Sequence, residues 1–218
     1  IAYDYDQDGD EDLFVGNLSN PDDFGRNEAS YILVNDGKGR FLKDKNFNLN
    51  AKVTSASWKD INSDGIKDLL VSTEWNVPKI YLNDKGALSE VSIPENLKGL
   101  WQSITIYDID ADGDQDILLG NWGKNTRFNK VSKEKPLRMY YWDFDTNGVK
   151  ETILAYKIDD KYYPVNSKDE LASQMNIISK RFNDYKDFSF RPIEDVLTPE
   201  ALKNASISEV ETLASGYL

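Results

Sequence analysis

One pattern occurs four times in this chain, and it constrains the fold more than any other feature. It reads DYDQDGDEDLFVG from Asp4, DINSDGIKDLLVS from Asp60, DIDADGDQDILLG from Asp108 and DFDTNGVKETILA from Asp143. The starts lie 56, 48 and 35 residues apart. A unit that recurs at such intervals builds a repeat architecture, because each unit buries its apolar face against the next. The first two intervals each fit one propeller blade of roughly 40–50 residues, and the third implies a trimmed connection.

Counting the first Asp of each copy as position 1, oxygen-bearing side chains fall at positions 1, 3, 5 and 9. They are Asp4, Asp6, Asp8 and Asp12; Asp60, Asn62, Asp64 and Asp68; Asp108, Asp110, Asp112 and Asp116; and Asp143, Asp145, Asn147 and Glu151. Position 6 is glycine throughout, which permits the sharp turn that other residues resist. Position 7 varies between Asp10, Ile66, Asp114 and Val149, as expected of a residue that offers only its backbone carbonyl. Calcium takes six to eight oxygen ligands, and alternate residues of a tight loop can turn to one centre. These residues are therefore the candidate ligands for up to four Ca²⁺ ions.

An EF-hand begins in the same way but requires a bidentate Glu at position 12 and a helix on either side. Position 12 is Val15, Val71, Leu119 and Leu154, so no copy qualifies. The runs LFV, LLV, ILL and ILAY after each loop, and SASWKDI, SITIYDI and RMYYWDF before three of them, read as strands. Each loop thus joins two strands.

An Asp-rich loop of this form followed by an apolar strand resembles the calcium loops of FG-GAP and VCBS repeats over about residues 1–165. The resemblance implies an all-β fold, a partial β-propeller of integrin-α or bacterial surface type. The Gly-Ala-Pro that follows the strand in integrin repeats is absent, and Gly16-Asn17-Leu18, Ser72-Thr73-Glu74 and Gly120-Asn121-Trp122 stand there instead. Asn147 and Glu151 are the departures in the fourth copy.

Acidic residues outnumber basic ones 38 to 26, a net charge of −12, which argues against nucleic acid and anionic membrane surfaces. The absence of cysteine and histidine removes disulfides, Cys/His zinc sites and the commonest general base. No apolar run reaches the roughly 20 residues of a membrane span. The opening IAYDYD reads as the middle of a strand, which marks the chain as a segment of a longer propeller.

YILVNDGKGRFL and KIYLNDKGALSEV read as outer hairpins turning at Asn-Asp. Near residue 166 the period changes. Ser167 and Glu170 form a capping box, and Leu171, Met175, Ile178, Phe182 and Tyr185 make one helical face. Thr198-Pro199 starts a second helix. The expected organisation is blades over 1–165, a short α-helical insertion over 166–205 packed on the propeller, and a returning strand over 206–218.

Trp58, Trp101 and Trp142 precede loops and are expected to pack between blades. Trp75 and Trp122 stand where the chain turns, beside Asn76 and Asn121. The function expected is non-catalytic: an extracellular or cell-surface binding and adhesion module, with a protein or glycan ligand on the propeller face. The alternative is a carbohydrate-binding propeller using Trp75 and Trp122. Glycoside chemistry by a carboxylate pair ranks below both, because the acid clusters are already accounted for as ligands.

Overall fold

The computed structural model describes residues 1–218, and the chain is predominantly β with antiparallel pairing throughout. In chain order the first eleven strands are β1 (Ala2–Tyr3), β2 (Asp12–Val15), β3 (Ala29–Asn35), β4 (Phe41–Lys43), β5 (Leu49–Asn50), β6 (Lys52–Lys59), β7 (Asp68–Asn76), β8 (Lys79–Asp84), β9 (Ala87–Glu90), β10 (Gly99–Tyr107) and β11 (Asp116–Asn121). Then come β12 (Leu137–Trp142), β13 (Glu151–Ile158) and β14 (Lys161–Pro164). Five short helices follow: α1 (Lys168–Gln174), α2 (Asn176–Arg181), α3 (Tyr185–Phe188), α4 (Ile193–Val196) and α5 (Pro199–Asn204). The chain ends with β15 (Ser206–Val210) and β16 (Gly216–Tyr217).

Packing divides the chain into two units: residues 1–18, 27–126 and 212–218, and residues 19–26 and 127–211. In the first unit, β1-β2-β3-β4 and β6-β7-β8-β9 are sequential meanders, and the second sheet continues through β10, β11 and β16. The second unit holds the sheet β14-β13-β12-β15. In every case a repeated loop joins the first strand of a pair to the second. The register is the same each time: the residue before position 1 pairs with position 9, as Tyr3↔Asp12, Lys59↔Asp68, Tyr107↔Asp116 and Trp142↔Glu151.

The apolar run on β7 explains how the first unit is assembled. Leu69 and Leu70 point to opposite faces, and both are fully buried. Leu69 joins a core with Tyr5, Phe14, Ile32, Phe47, Trp58 and Tyr81. Leu70 joins another with Trp101, Ile104 and Leu119. A strand buried on both faces reads as a continuous apolar run instead of alternating, which is what Leu69-Leu70-Val71 shows. Trp58 and Trp101 are buried in these cores, and Trp142, the third tryptophan that precedes a loop, is half-buried against the core of the second unit.

The helices lie within the expected insertion, and their caps are those read from sequence. Ser167 and Glu170 form the reciprocal box, and Thr198 accepts from Ala201 N–H with Pro199 in the first turn. Leu171, Met175, Ile178 and Phe182 are buried against Tyr140, Ile153, Ala155 and Tyr162 of the second unit's sheet. Tyr185 departs from the expected face. The helix breaks at Met175 and Phe182, both extended, so the phase is lost and Tyr185 is exposed with its hydroxyl on Asp169.

Two boundaries also differ from the expected ones. β12, the fourth loop and β13 group with the helices, because that sheet's apolar face is the surface the helices cover. Residues 206–218 do not form one returning strand: β15 pairs with β12, whereas β16 pairs with β11.

Candidate metal loops

The four loops share one hydrogen-bond scheme. The position-6 N–H donates to the position-1 carboxylate: Gly9 to Asp4 at 3.2 Å, Gly65 to Asp60 at 2.9 Å, Gly113 to Asp108 at 3.1 Å and Gly148 to Asp143 at 2.9 Å. The position-7 N–H donates to the position-5 side chain: Asp10 to Asp8 at 3.2 Å, Ile66 to Asp64 at 2.8 Å, Asp114 to Asp112 at 2.9 Å and Val149 to Asn147 at 2.7 Å. The position-2 N–H donates to the position-9 carboxylate: Tyr5 to Asp12 at 3.2 Å, Ile61 to Asp68 at 3.0 Å, Ile109 to Asp116 at 2.8 Å and Phe144 to Glu151 at 3.0 Å. Side-chain acceptors thus hold the turn.

The backbone pays for this winding at two positions per loop. Gly9, Gly65, Gly113 and Gly148 have φ of 103°, 87°, 98° and 89°. Position 4 is also left-handed, at Gln7 (61°), Ser63 (61°), Ala111 (61°) and Thr146 (59°), where L-residues are strained. That second left-handed residue was not anticipated from sequence, since position 4 carries no glycine to announce it.

Three loops bring their acids together. One carboxylate oxygen from each of Asp4, Asp6 and Asp8 lies within 4.8 Å of the others, as do those of Asp108, Asp110 and Asp116, and of Asp143, Asp145 and Glu151. Asp4 Oδ1, Asp108 Oδ1, Asp145 Oδ1 and Glu151 Oε1 are buried and accept no hydrogen bond. An unpartnered buried carboxylate oxygen is costly, and a hard cation is the partner that such oxygen-only sets fit. The second loop differs: Asn62 turns its amide nitrogen to Asp64 Oδ2 at 2.8 Å, and Asp60, Asp64 and Asp68 do not converge.

Burial raises the carboxyls of Asp6, Asp12, Asp68 and Glu151 above the ordinary range, and the neighbouring loop carboxylates push them further up. Backbone donors reverse part of that rise. The first, second and fourth loops are therefore electrostatically frustrated in the absence of a cation.

Two asparagines brace the first two loops from the neighbouring strand. Asn35 and Asn83 donate backbone N–H to Asp12 Oδ1 at 2.9 Å and Asp68 Oδ1 at 2.8 Å. Their side-chain nitrogens reach the position-8 carbonyls, Glu11 at 3.3 Å and Lys67 at 3.1 Å. Asn83 also donates to Tyr5 O at 2.9 Å, which links the second loop's sheet to the first loop. In sequence these residues read as the start of an Asn-Asp turn, and their spacing from the loops gives no sign of the contact.

At the aromatic turns, Trp122 is 48% exposed. The Asn121 amide beside it is committed: its oxygen accepts from Leu100 and Trp122, and its nitrogen donates to Thr212 O. Asn76 Oδ1 accepts from Val77 N–H.

Repeated antiparallel sheets with acidic loops between paired strands define a repeat β-protein. The FG-GAP-like repeat model matches residues 4–71 and 60–119, more than half of the chain, and the chain belongs to that family. The fourth loop lies outside the matched residues and repeats the same register and hydrogen bonds. Neither the curated proteins nor the solved structures contain a match. No helix is long and apolar enough to cross a membrane.

Proposed function

We propose that the chain is a calcium-binding segment of a β-propeller that acts as a non-catalytic binding or adhesion module outside the cell. The observation that carries this reading is the recurrence of one loop geometry, with buried, unpartnered carboxylate oxygens in three of the four loops. Bound Ca²⁺ would supply the positive charge that these crowded carboxylates lack. The residues' own part is mechanical. Position 1 clamps the glycine turn, position 5 closes the next turn, and position 9, the first residue of the second strand, accepts from the position-2 N–H and so ties the loop's entry to its exit. Blade-like stacking is supported by β7, which buries Leu69 and Leu70 on opposite faces. An external setting is supported by the ion itself, since free calcium there is high enough to fill moderate-affinity loops. The partner on this reading is a protein or glycan on the propeller face.

The reading is tested by stripping the protein with chelator and titrating Ca²⁺ by calorimetry, with melting curves alongside. Binding to the folded loops alone must raise the melting temperature. Heat of binding with a matching rise is expected; no heat and an unchanged melting curve would overturn the proposal.

A further inference from the structure

In the second unit a two-lobed cleft lies between the segment 127–135 and the end of β13. Its lobes measure about 450 Å³ and about 260 Å³. Arg127, Phe128 and Tyr156 line both lobes. The larger lobe falls within the usual size of small-ligand sites.

The cleft inverts the charge of the chain. Acids outnumber bases over the whole sequence, yet four of the five charged residues lining the larger lobe are cations: Arg127, Lys130, Lys135 and Lys157, against Asp159. Two further acids lie near the cleft and keep their charge, Glu170 close enough to Arg127 to interact with it. The Glu134 carboxylate accepts from Ser132 Oγ at 2.9 Å, and the Glu170 carboxylate accepts from Ser167. Lys157 Nζ donates to Glu134 O at 3.2 Å, which fixes its ammonium group and leaves further donors for a ligand. Apolar surface is interleaved with the cations. Tyr156 and Ile158 are 38% and 39% exposed, and the Arg127 guanidinium sits 5.0 Å from the Phe128 ring centroid.

We propose that this cleft binds a carboxylate-bearing sugar of the uronic-acid type. A sugar acid combines an apolar C–H face, suited to an aromatic wall, with a carboxylate suited to Arg and Lys donors. Two lobes sharing Arg127 accommodate adjacent residues of an oligosaccharide. Peptide grooves instead present a strand edge or a row of apolar anchors, whereas each wall here alternates cations with apolar residues. The inference stands on the cleft alone and involves none of the loop carboxylates.

The test is calorimetric titration of the whole chain with a glucuronic-acid trisaccharide, its uncharged glucose counterpart and hexaglutamate. The acidic trisaccharide should bind and the neutral one should not. Raising NaCl from about 50 mM to about 500 mM should weaken binding, because the rim charges are exposed. Arg127→Ala, and separately the pair Lys130→Glu and Lys135→Glu, should weaken it at least about tenfold, the value of one lost charge-assisted hydrogen bond. Melting curves confirm that these surface variants are folded. Titration in excess chelator should give the same trisaccharide affinity, which separates the cleft from ion bridging at the fourth loop. Equal binding of the neutral sugar, full binding by the charge variants, tighter binding of hexaglutamate, or no binding at all would overturn the proposal.

Discussion

Replacing Asn83 by Ala tests whether the bracing asparagine holds the first unit's loops in place. Asn83 is 2% exposed, and its side chain makes three bonds: Nδ2 to Tyr5 O at 2.9 Å and Lys67 O at 3.1 Å, and Oδ1 from Gly86 N–H at 3.0 Å. Alanine keeps the backbone bond to Asp68 but leaves two carbonyls and one N–H without those partners. With each bond worth about 1 kcal/mol net, and more where a buried group is left unpaired, the loss should be about 3 kcal/mol. At roughly 2–4 °C per kcal/mol for a chain of this size, the melting temperature should fall by roughly 6–12 °C. Asn35 is the internal control. Its side chain makes one long bond, 3.3 Å to Glu11 O, and its Oδ1 has no partner. Asn35→Ala should therefore cost less than about 1 kcal/mol. Urea unfolding followed by circular dichroism at fixed calcium measures both. The reasoning fails if Asn83→Ala shifts stability by less than about 0.5 kcal/mol, or if Asn35→Ala costs as much.

Further outcomes follow from the same geometry. Calcium titration of Asp60→Ala and Asp108→Ala should show that the second loop contributes the weakest step and the third a tighter one, because Asn62 and Asp64 satisfy each other while Asp108, Asp110 and Asp116 converge; the reverse order would show that convergence of acids does not set affinity. In chelator, melting temperature should rise as pH falls from neutrality toward the ordinary carboxylate range. The raised carboxyls of Asp6, Asp12, Asp68 and Glu151 contribute stability that is present at low pH and lost as pH rises through their folded values. In saturating calcium the slope should reverse, since protonation then competes with the ion; the same slope under both conditions would refute this. Thr146→Gly should stabilise the chain by about 1 kcal/mol by relieving a β-branched residue at φ 59°, and denaturant unfolding showing a loss would mean that the left-handed turn is not strained.

The repeated loops were legible in the sequence because their requirements are local. A turn wound by its own carboxylates needs Asp or Asn at fixed offsets and glycine at position 6, and those demands leave a periodic mark. Strands on both sides, the capping box at Ser167 and the proline start at Pro199 were legible for the same reason. Tertiary structure decided the rest. Asn35 and Asn83 act on loops distant in sequence, so nothing in their own surroundings distinguishes them from ordinary turn residues. Whether the acids of a loop converge was also hidden, because the second and fourth loops carry similar charge and differ in where one amide turns. The grouping of the fourth loop with the helices, and the division of the last residues between β12 and β11, depend on which apolar face needs covering. Local pattern records what each segment can form, while burial and long-range pairing determine what it forms with.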